Sequence, residues 1–346
     1  PEPHAAASAL LSHVVGGPVG MRWSHPDCLV PGIAWVEADS SGSGWLTFQS
    51  PCCAGLPDLP ARIVLPGPVN HTVPMVAGDL DADGADEIIL VGAAGAVWRV
   101  TYAKPVLTAG DPFWQVENLA SLQDTVTSPL ALADLDADGT LEIIAVGHEA
   151  MHALSFSGAE RPGWPSRFGL DPALEDEEAP GAAAGTPLVA DLDGDGMPEV
   201  LVHLRGGALQ VWDAQGRRRP DLEAALPATD VVSPWLGDLD GDGDAELAAL
   251  ARFPRLVAYD APSQGVVTQQ RTDLGLWHWP RMGEVAWGEL GGDGRHAFHT
   301  AEERPLRPAP NDAGLPSFVV APNPASTVLT ARVELTAEAT VHCAVF

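Results

Sequence analysis

Four stretches of the chain repeat one spacing of carboxylates: DLDADGADE from Asp79, DLDADGTLE from Asp134, DLDGDGMPE from Asp191 and DLDGDGDAE from Asp238. Acids at positions 1, 3 and 5 put three hard oxygen ligands on the inside of one loop. These are Asp79, Asp81 and Asp83; Asp134, Asp136 and Asp138; Asp191, Asp193 and Asp195; and Asp238, Asp240 and Asp242. Gly84, Gly139, Gly196 and Gly243 at position 6 permit the sharp turn that carries the chain back around an ion. Position 7 need offer only a backbone carbonyl, and it varies freely: Ala85, Thr140, Met197 and Asp244. An EF-hand closes its shell with a glutamate at position 12. Position 12 is apolar here, and the closing acid stands at position 9 as Glu87, Glu142, Glu199 and Glu246. Four acids in one loop crowd more negative charge than a fold tolerates without a cation. Oxygen-only ligands on a flexible loop favour Ca²⁺ over Mg²⁺, and no soft ligand invites zinc. The residues predict about four calcium sites. Acidic turns without metal are the alternative, and the recurrence of the pattern four times counts against it.

The loops recur at a period of roughly 50 residues, the range of a propeller blade. Decayed copies begin at Asp39 (DSSGSGWLT) and Glu289 (ELGGDGRHA), and they keep too few acids to hold calcium strongly. Short apolar runs flank every good copy: PMVAG, PLALA, PLVA and PWLG before it, IILVG, IIAVG, VLVHL and LAALA after it. A third run follows a Gly-containing or polar turn (AVWRV, HALSF, ALQVW, RLVAY), and a weaker fourth follows in places, as in WQVEN and GVVTQ. Runs of this length bounded by turn residues read as buried strands. Four short antiparallel strands per unit predict an all-β chain: a β-propeller of about six four-stranded blades, alternatively seven, followed by a short C-terminal β segment. The propeller is expected over residues 1–300, a Pro-rich linker over 301–317, and a partial β-sandwich over 318–346. Residues 9–23 carry no acidic loop and are expected to complete the last blade. The chain starts at Pro1 without an initiator Met or a signal-like segment, which reads as a processed product or a piece of something longer.

Composition narrows the function. The 346 residues carry 47 acidic and 18 basic side chains, a formal net charge of -29. That charge disfavours nucleic acid, which needs a basic face, and an anionic membrane surface. The 36 Gly and 32 Pro disfavour a helical bundle. No apolar run approaches the roughly 18 residues that cross a bilayer. Cys28, Cys52, Cys53 and Cys343 allow three pairings, among which the sequence does not choose. HEAMH at His148–His152 has the spacing of a zinc-protease helix, but it aligns with a turn in the preceding unit, where the two histidines would diverge. Of the 11 Trp, Trp98, Trp212, Trp235 and Trp287 fall on strands and read as core. Trp23, Trp114, Trp164, Trp277 and Trp279 fall outside the clear strands, where exposed aromatics would stack on sugar rings. No catalytic triad, phosphate loop or dinucleotide signature is present. Arg205, Arg252 and Arg281 could contribute to an enzyme site, but no spacing marks them.

The loops and their flanks resemble the FG-GAP, or VCBS, calcium-binding propeller repeats also found in integrin α-subunit heads, over roughly residues 30–300. The resemblance implies a secreted or cell-surface propeller whose calcium ions brace the blade hairpins, with the ligand positions carried onto the four good loops. Residues from APNP onward are similar to the opening of bacterial C-terminal sorting domains and of hook-capping Ig-like domains. The expected function is an extracellular calcium-binding module for adhesion, ligand binding or structure, facing an unknown protein or glycan, with no nucleic acid and no membrane span. A lectin, a polysaccharide-degrading enzyme and a subunit of a surface assembly are the alternatives.

Overall fold

Every unit begins with a hairpin whose turn is the acidic loop, and the strands on either side are apolar on both faces. In the computed structural model this pattern builds a succession of antiparallel sheets. The structure describes residues 13–25, 28–39, 44–49, 62–102, 114–168, 185–204, 208–225, 230–238, 245–260, 265–279, 283, 285–288, 317–319 and 332–334. Among them the fold is all-β, with a single 3-10 turn at Ala93–Gly95. No helix of the described residues is long and apolar enough to cross a membrane.

The first sheet orders β1 (His13–His25), β2 (Cys28–Ala38), β3 (Gly44–Gln49) and β4 (Arg62–Val64) side by side. The second is β5 (Val76–Gly78), β6 (Glu87–Val91), β7 (Ala96–Tyr102) and β8 (Trp114–Ser121). The third is β9 (Ala131–Ala133), β10 (Glu142–Val146), β11 (Ala150–Leu154) and β12 (Ser166–Arg167). The fourth is β13 (Leu188–Ala190), β14 (Glu199–His203), β15 (Ala208–Trp212) and β16 (Ala224–Ala225). The predicted strands of these three acidic units are therefore present and paired in chain order.

Alternate residues of one strand serve two neighbours. Ile88 and Leu90 of β6 pack with Val36 and Leu46 of the first sheet. Ile89 and Val91, on the opposite face, pack with Leu132 and Ile143 of the third. Val200 of β14 joins that same core, whereas Leu201 turns the other way, to Leu236 and Leu247. A strand covered on both faces has no place for polar alternation, which is why the runs are continuously apolar. Each such side chain contributes roughly 1.5–3 kcal/mol on burial. The short first strand β9 lies against both β5 and β13, so the first strands of successive acidic units are neighbours.

Three expectations are corrected. Residues 9–23 were expected to complete the last unit, but their described part, from His13 on, lies in β1, which pairs with β2, His25 opposite Cys28. The unit at Asp238 has three long strands rather than four short ones: β17 (Asp230–Gly237), β18 (Ala245–Asp260) and β19 (Gly265–Trp279). LAALA and RLVAY run on as one strand because Arg252, Phe253 and Pro254 between them include none of the glycines that turn the chain in the other units. Trp114 and Trp164 are buried, and Trp114 stacks on Phe48 with ring centroids 4.1 Å apart. Neither is an exposed platform for sugars, whereas Trp277 and Trp279 lie within β19. Trp98, Trp212 and Trp287 are core residues, as expected.

Further along, β20 (Val285–Trp287) pairs with β13. A separate pair, β21 (Ser317–Val319) and β22 (Arg332–Glu334), lies in the C-terminal stretch. The linker residues 301–316, the whole decayed copy that begins at Glu289, and Cys52, Cys53 and Cys343 lie outside the described residues.

Outer turns lock adjacent sheets. Trp164 Nε1 donates to Ala214 O at 3.2 Å, and a Cβ added at Gly163 (φ +94°) would meet Gln215 O at 1.9 Å. Gly163→Ala should therefore cost about 2 kcal/mol or more, from left-handed strain and the displaced neighbour. Urea unfolding of the variant measures this, and an unchanged midpoint would contradict the interlock.

Candidate metal centres

The ladder itself places the closing acid. The last residue of each first strand pairs with the glutamate at the start of the second: Gly78 with Glu87, Ala133 with Glu142, Ala190 with Glu199, and Gly237 with Glu246, the second residue of its strand. Eight residues then close the hairpin, and the glutamate side chain stands at its mouth. One oxygen of each glutamate accepts the position 2 N–H: Glu87 from Leu80 at 2.9 Å, Glu142 from Leu135 at 2.8 Å, Glu199 from Leu192 at 2.8 Å. Leu80, Leu135 and Leu192 are themselves buried and pin that end of the loop.

The first aspartate organises the turn. Asp79 accepts the N–H groups of Asp83 and Gly84 at 2.9 and 2.8 Å. Asp134 does so from Asp138 and Gly139 at 3.1 and 2.8 Å, and Asp191 from Asp195 and Gly196 at 3.1 and 3.0 Å. Position 6 takes φ near +88° in all three, so glycine is required there. Position 4 is left-handed too, at Ala82 (φ 58°), Ala137 (φ 57°) and Gly194 (φ 76°). That requirement escaped the sequence reading, although small residues occupy the position in all four loops.

Positions 1, 3 and 9 converge. Asp79, Asp81 and Glu87 offer oxygens that all lie within 4.8 Å of one another, as do Asp134, Asp136 and Glu142, and Asp191, Asp193 and Glu199. Position 5 stands apart from these trios. Asp83, Asp138 and Asp195 each accept the position 7 N–H instead, from Ala85 at 2.9 Å, Thr140 at 2.8 Å and Met197 at 2.8 Å. The fourth loop is described only at its ends, where Asp238 is exposed and Glu246 buried. Asp240, Asp242 and Asp244 lie outside the described residues.

Residues 191–249 match the FG-GAP-like repeat family. They run from the first aspartate of the third loop through the fourth loop into β18, the strand that follows it. No curated protein matches the chain. Among solved structures, BBS1N in complex with ARL6DN, soaked with mercury, is similar at 15% identity and a TM-score of 0.45, over 81% of this chain and 67% of that one. The biofilm matrix protein Bap1 of V. cholerae is similar at 16% identity and a TM-score of 0.31, over 76% of this chain and 53% of that one.

The donor set fits a hard divalent cation. Every converging ligand is a carboxylate oxygen, and Asp136 Oδ1 is buried with no hydrogen-bond partner. Two arginines that the sequence reading missed also face these loops. Arg161 pairs with Asp136 and Glu142, and Arg219 with Asp193 and Glu199. HEAMH is no metal helix: His148 and Glu149 are exposed in a turn, while His152 lies buried in β11 with Nδ1 2.6 Å from Glu160.

Burial pushes the carboxyl of Glu87 up to about 8. It pushes those of Glu142 and Glu199 up to about 7. The position 2 N–H pulls each back, and nearby aspartates push the same way as burial. A glutamate raised above its unfolded value favours the fold fully below about 4.5 and loses that contribution as pH climbs through the folded value. With a chelator present, the melting temperature should therefore fall as pH rises from about 5 to about 8. Glu87→Gln should make the fall shallower, most visibly toward pH 8, where Glu142 and Glu199 are already largely ionised and Glu87 is about half protonated. Parallel profiles for the two proteins there would contradict this assignment, and saturating calcium should abolish the fall.

Proposed function

We propose that the chain is an extracellular, calcium-stabilised propeller module that serves adhesion, ligand binding or structure rather than catalysis. The observation that supports this most is the threefold recurrence of one carboxylate trio, at the same hairpin mouth in three successive antiparallel sheets. The FG-GAP-like match over residues 191–249 supports the same reading. The ring would comprise about six blades, or seven, within residues 1–300, with residues 301–317 as a linker and 318–346 as part of a further β domain.

In each loop the aspartates at positions 1 and 3 and the glutamate at position 9 would hold the ion, with positions 5 and 7 completing the shell. That assigns Asp79, Asp81 and Glu87, with Asp83 and Ala85, to the first loop, and the equivalent residues to the loops at Asp134, Asp191 and Asp238. Calcium supplies the positive charge that lets buried carboxylates stay ionised beside one another. The chain supplies the geometry: position 2 orients the glutamate, and position 1 folds the turn. Extracellular calcium modules bind at ~10⁻⁴ to 10⁻³ M. At tenfold excess over the dissociation constant each site adds about 1.4 kcal/mol, so four sites together rival the stability of a whole domain. The partner would be a protein or glycan met outside the cell.

Calorimetric titration of chelator-stripped protein with calcium should reveal about four sites, with magnesium a poor substitute. Folded protein that takes up no calcium would reduce the loops to acidic turns and remove the proposal's basis.

A further inference from the structure

Arg161 and Arg219 occupy one place in two successive units. Each follows a tight turn after the third strand, in which Gly158 N–H donates to Ser155 O at 2.8 Å and Gly216 N–H to Asp213 O at 2.9 Å. Each is anchored by its own N–H to that strand, Arg161 to Ala153 O at 2.9 Å and Arg219 to Val211 O at 2.7 Å. From there each guanidinium spans its own sheet to the acidic loop. Arg161 bonds Asp136 Oδ2, and its other terminal nitrogen lies 3.1 Å from Glu142 Oε1. Arg219 bonds Asp193 Oδ2 at 2.9 Å and lies 3.5 Å from Glu199 Oε1. In both units the paired acids are positions 3 and 9, two of the three that converge. Arg219 also holds Asp221, at 2.9 Å. Among the described residues, Asp79, Asp81 and Glu87 have no basic side chain against them.

We infer that Arg161 and Arg219 are resident counter-cations that grade the loops. The second and third loops bind a divalent ion more weakly than the first and keep their shape better without it. This rests on the calcium reading above. A guanidinium is charged at every accessible pH, so its contribution cannot be titrated away. Loop affinity for calcium follows the net charge of the ligands. One guanidinium on two ligands cancels part of that charge and stands against an arriving cation. The same contact neutralises carboxylates that would otherwise repel when calcium is scarce. The sheet β5–β8, whose trio lacks such a partner among the described residues, becomes the calcium-dependent part of the molecule.

Calcium titrations of wild type, Arg161→Gln, Arg219→Gln and Arg161→Lys test this. Each Gln variant should tighten one site about tenfold or more. Each should also melt a few degrees lower than wild type in chelator, with the gap closing in millimolar calcium. Arg161→Lys, which keeps the charge, should stay near wild type in affinity. Gln variants that bind calcium as wild type does, or more weakly, would overturn the inference while leaving the calcium sites intact. Wild type that binds no calcium would overturn both readings. Hydrogen exchange on wild type checks the same point without a substitution. Stripping calcium should speed exchange in β6 before β10 and β14, and the reverse order would contradict the grading.

Discussion

Glu87, Glu142 and Glu199 each open a buried strand, and each is itself almost fully buried: 6%, 0% and 1% exposed. Their place is fixed by strand pairing opposite Gly78, Ala133 and Ala190, so they cannot swing out to water without opening the hairpin. Three consequences follow from that constraint. The residue opposite must be small. The position 2 N–H must stay on the carboxylate. Positive charge must come from somewhere, because two more carboxylates converge on the same point. In the proposed reading a divalent cation would answer the last demand, and among the described residues an arginine answers part of it at Glu142 and at Glu199.

The sheets transmit the arrangement. Leu141, one residue before Glu142, donates its N–H to Leu80 O of the neighbouring loop at 3.1 Å. The strands behind Glu87 and Glu199 divide their side chains between two adjoining cores, and the strand behind Glu142 is buried within one. An ion at one hairpin mouth would therefore steady the packing on both sides of that sheet. The acidic excess of the chain is partly a property of these loops and not a separate feature.

Local signals made the hairpins legible. DxDxDG followed by a glutamate at position 9 and an apolar run names the turn, the register and the buried strand together, and the three described loops fold that way. What lay beyond local sequence was missed. Arg161 sits 25 residues from Asp136, and Arg219 sits 26 from Asp193, so no spacing rule joins them. The pairing of β1 with β2 was missed although Pro26 and Asp27 are turn residues between two apolar runs. The long β18 went unrecognised because the repeat itself argued for a turn that its glycine-free linker does not make. Trp114 was misjudged because its partner, Phe48, belongs to another unit.

The most direct test of the central claim is a crystal of the calcium-soaked protein, read for anomalous scattering at a wavelength where calcium contributes. The account predicts one peak among Asp79, Asp81 and Glu87, one among Asp134, Asp136 and Glu142, one among Asp191, Asp193 and Glu199, and one at the loop ending in Glu246. The same four loops folded in crystals grown with excess calcium, without a peak in any of them, would contradict it.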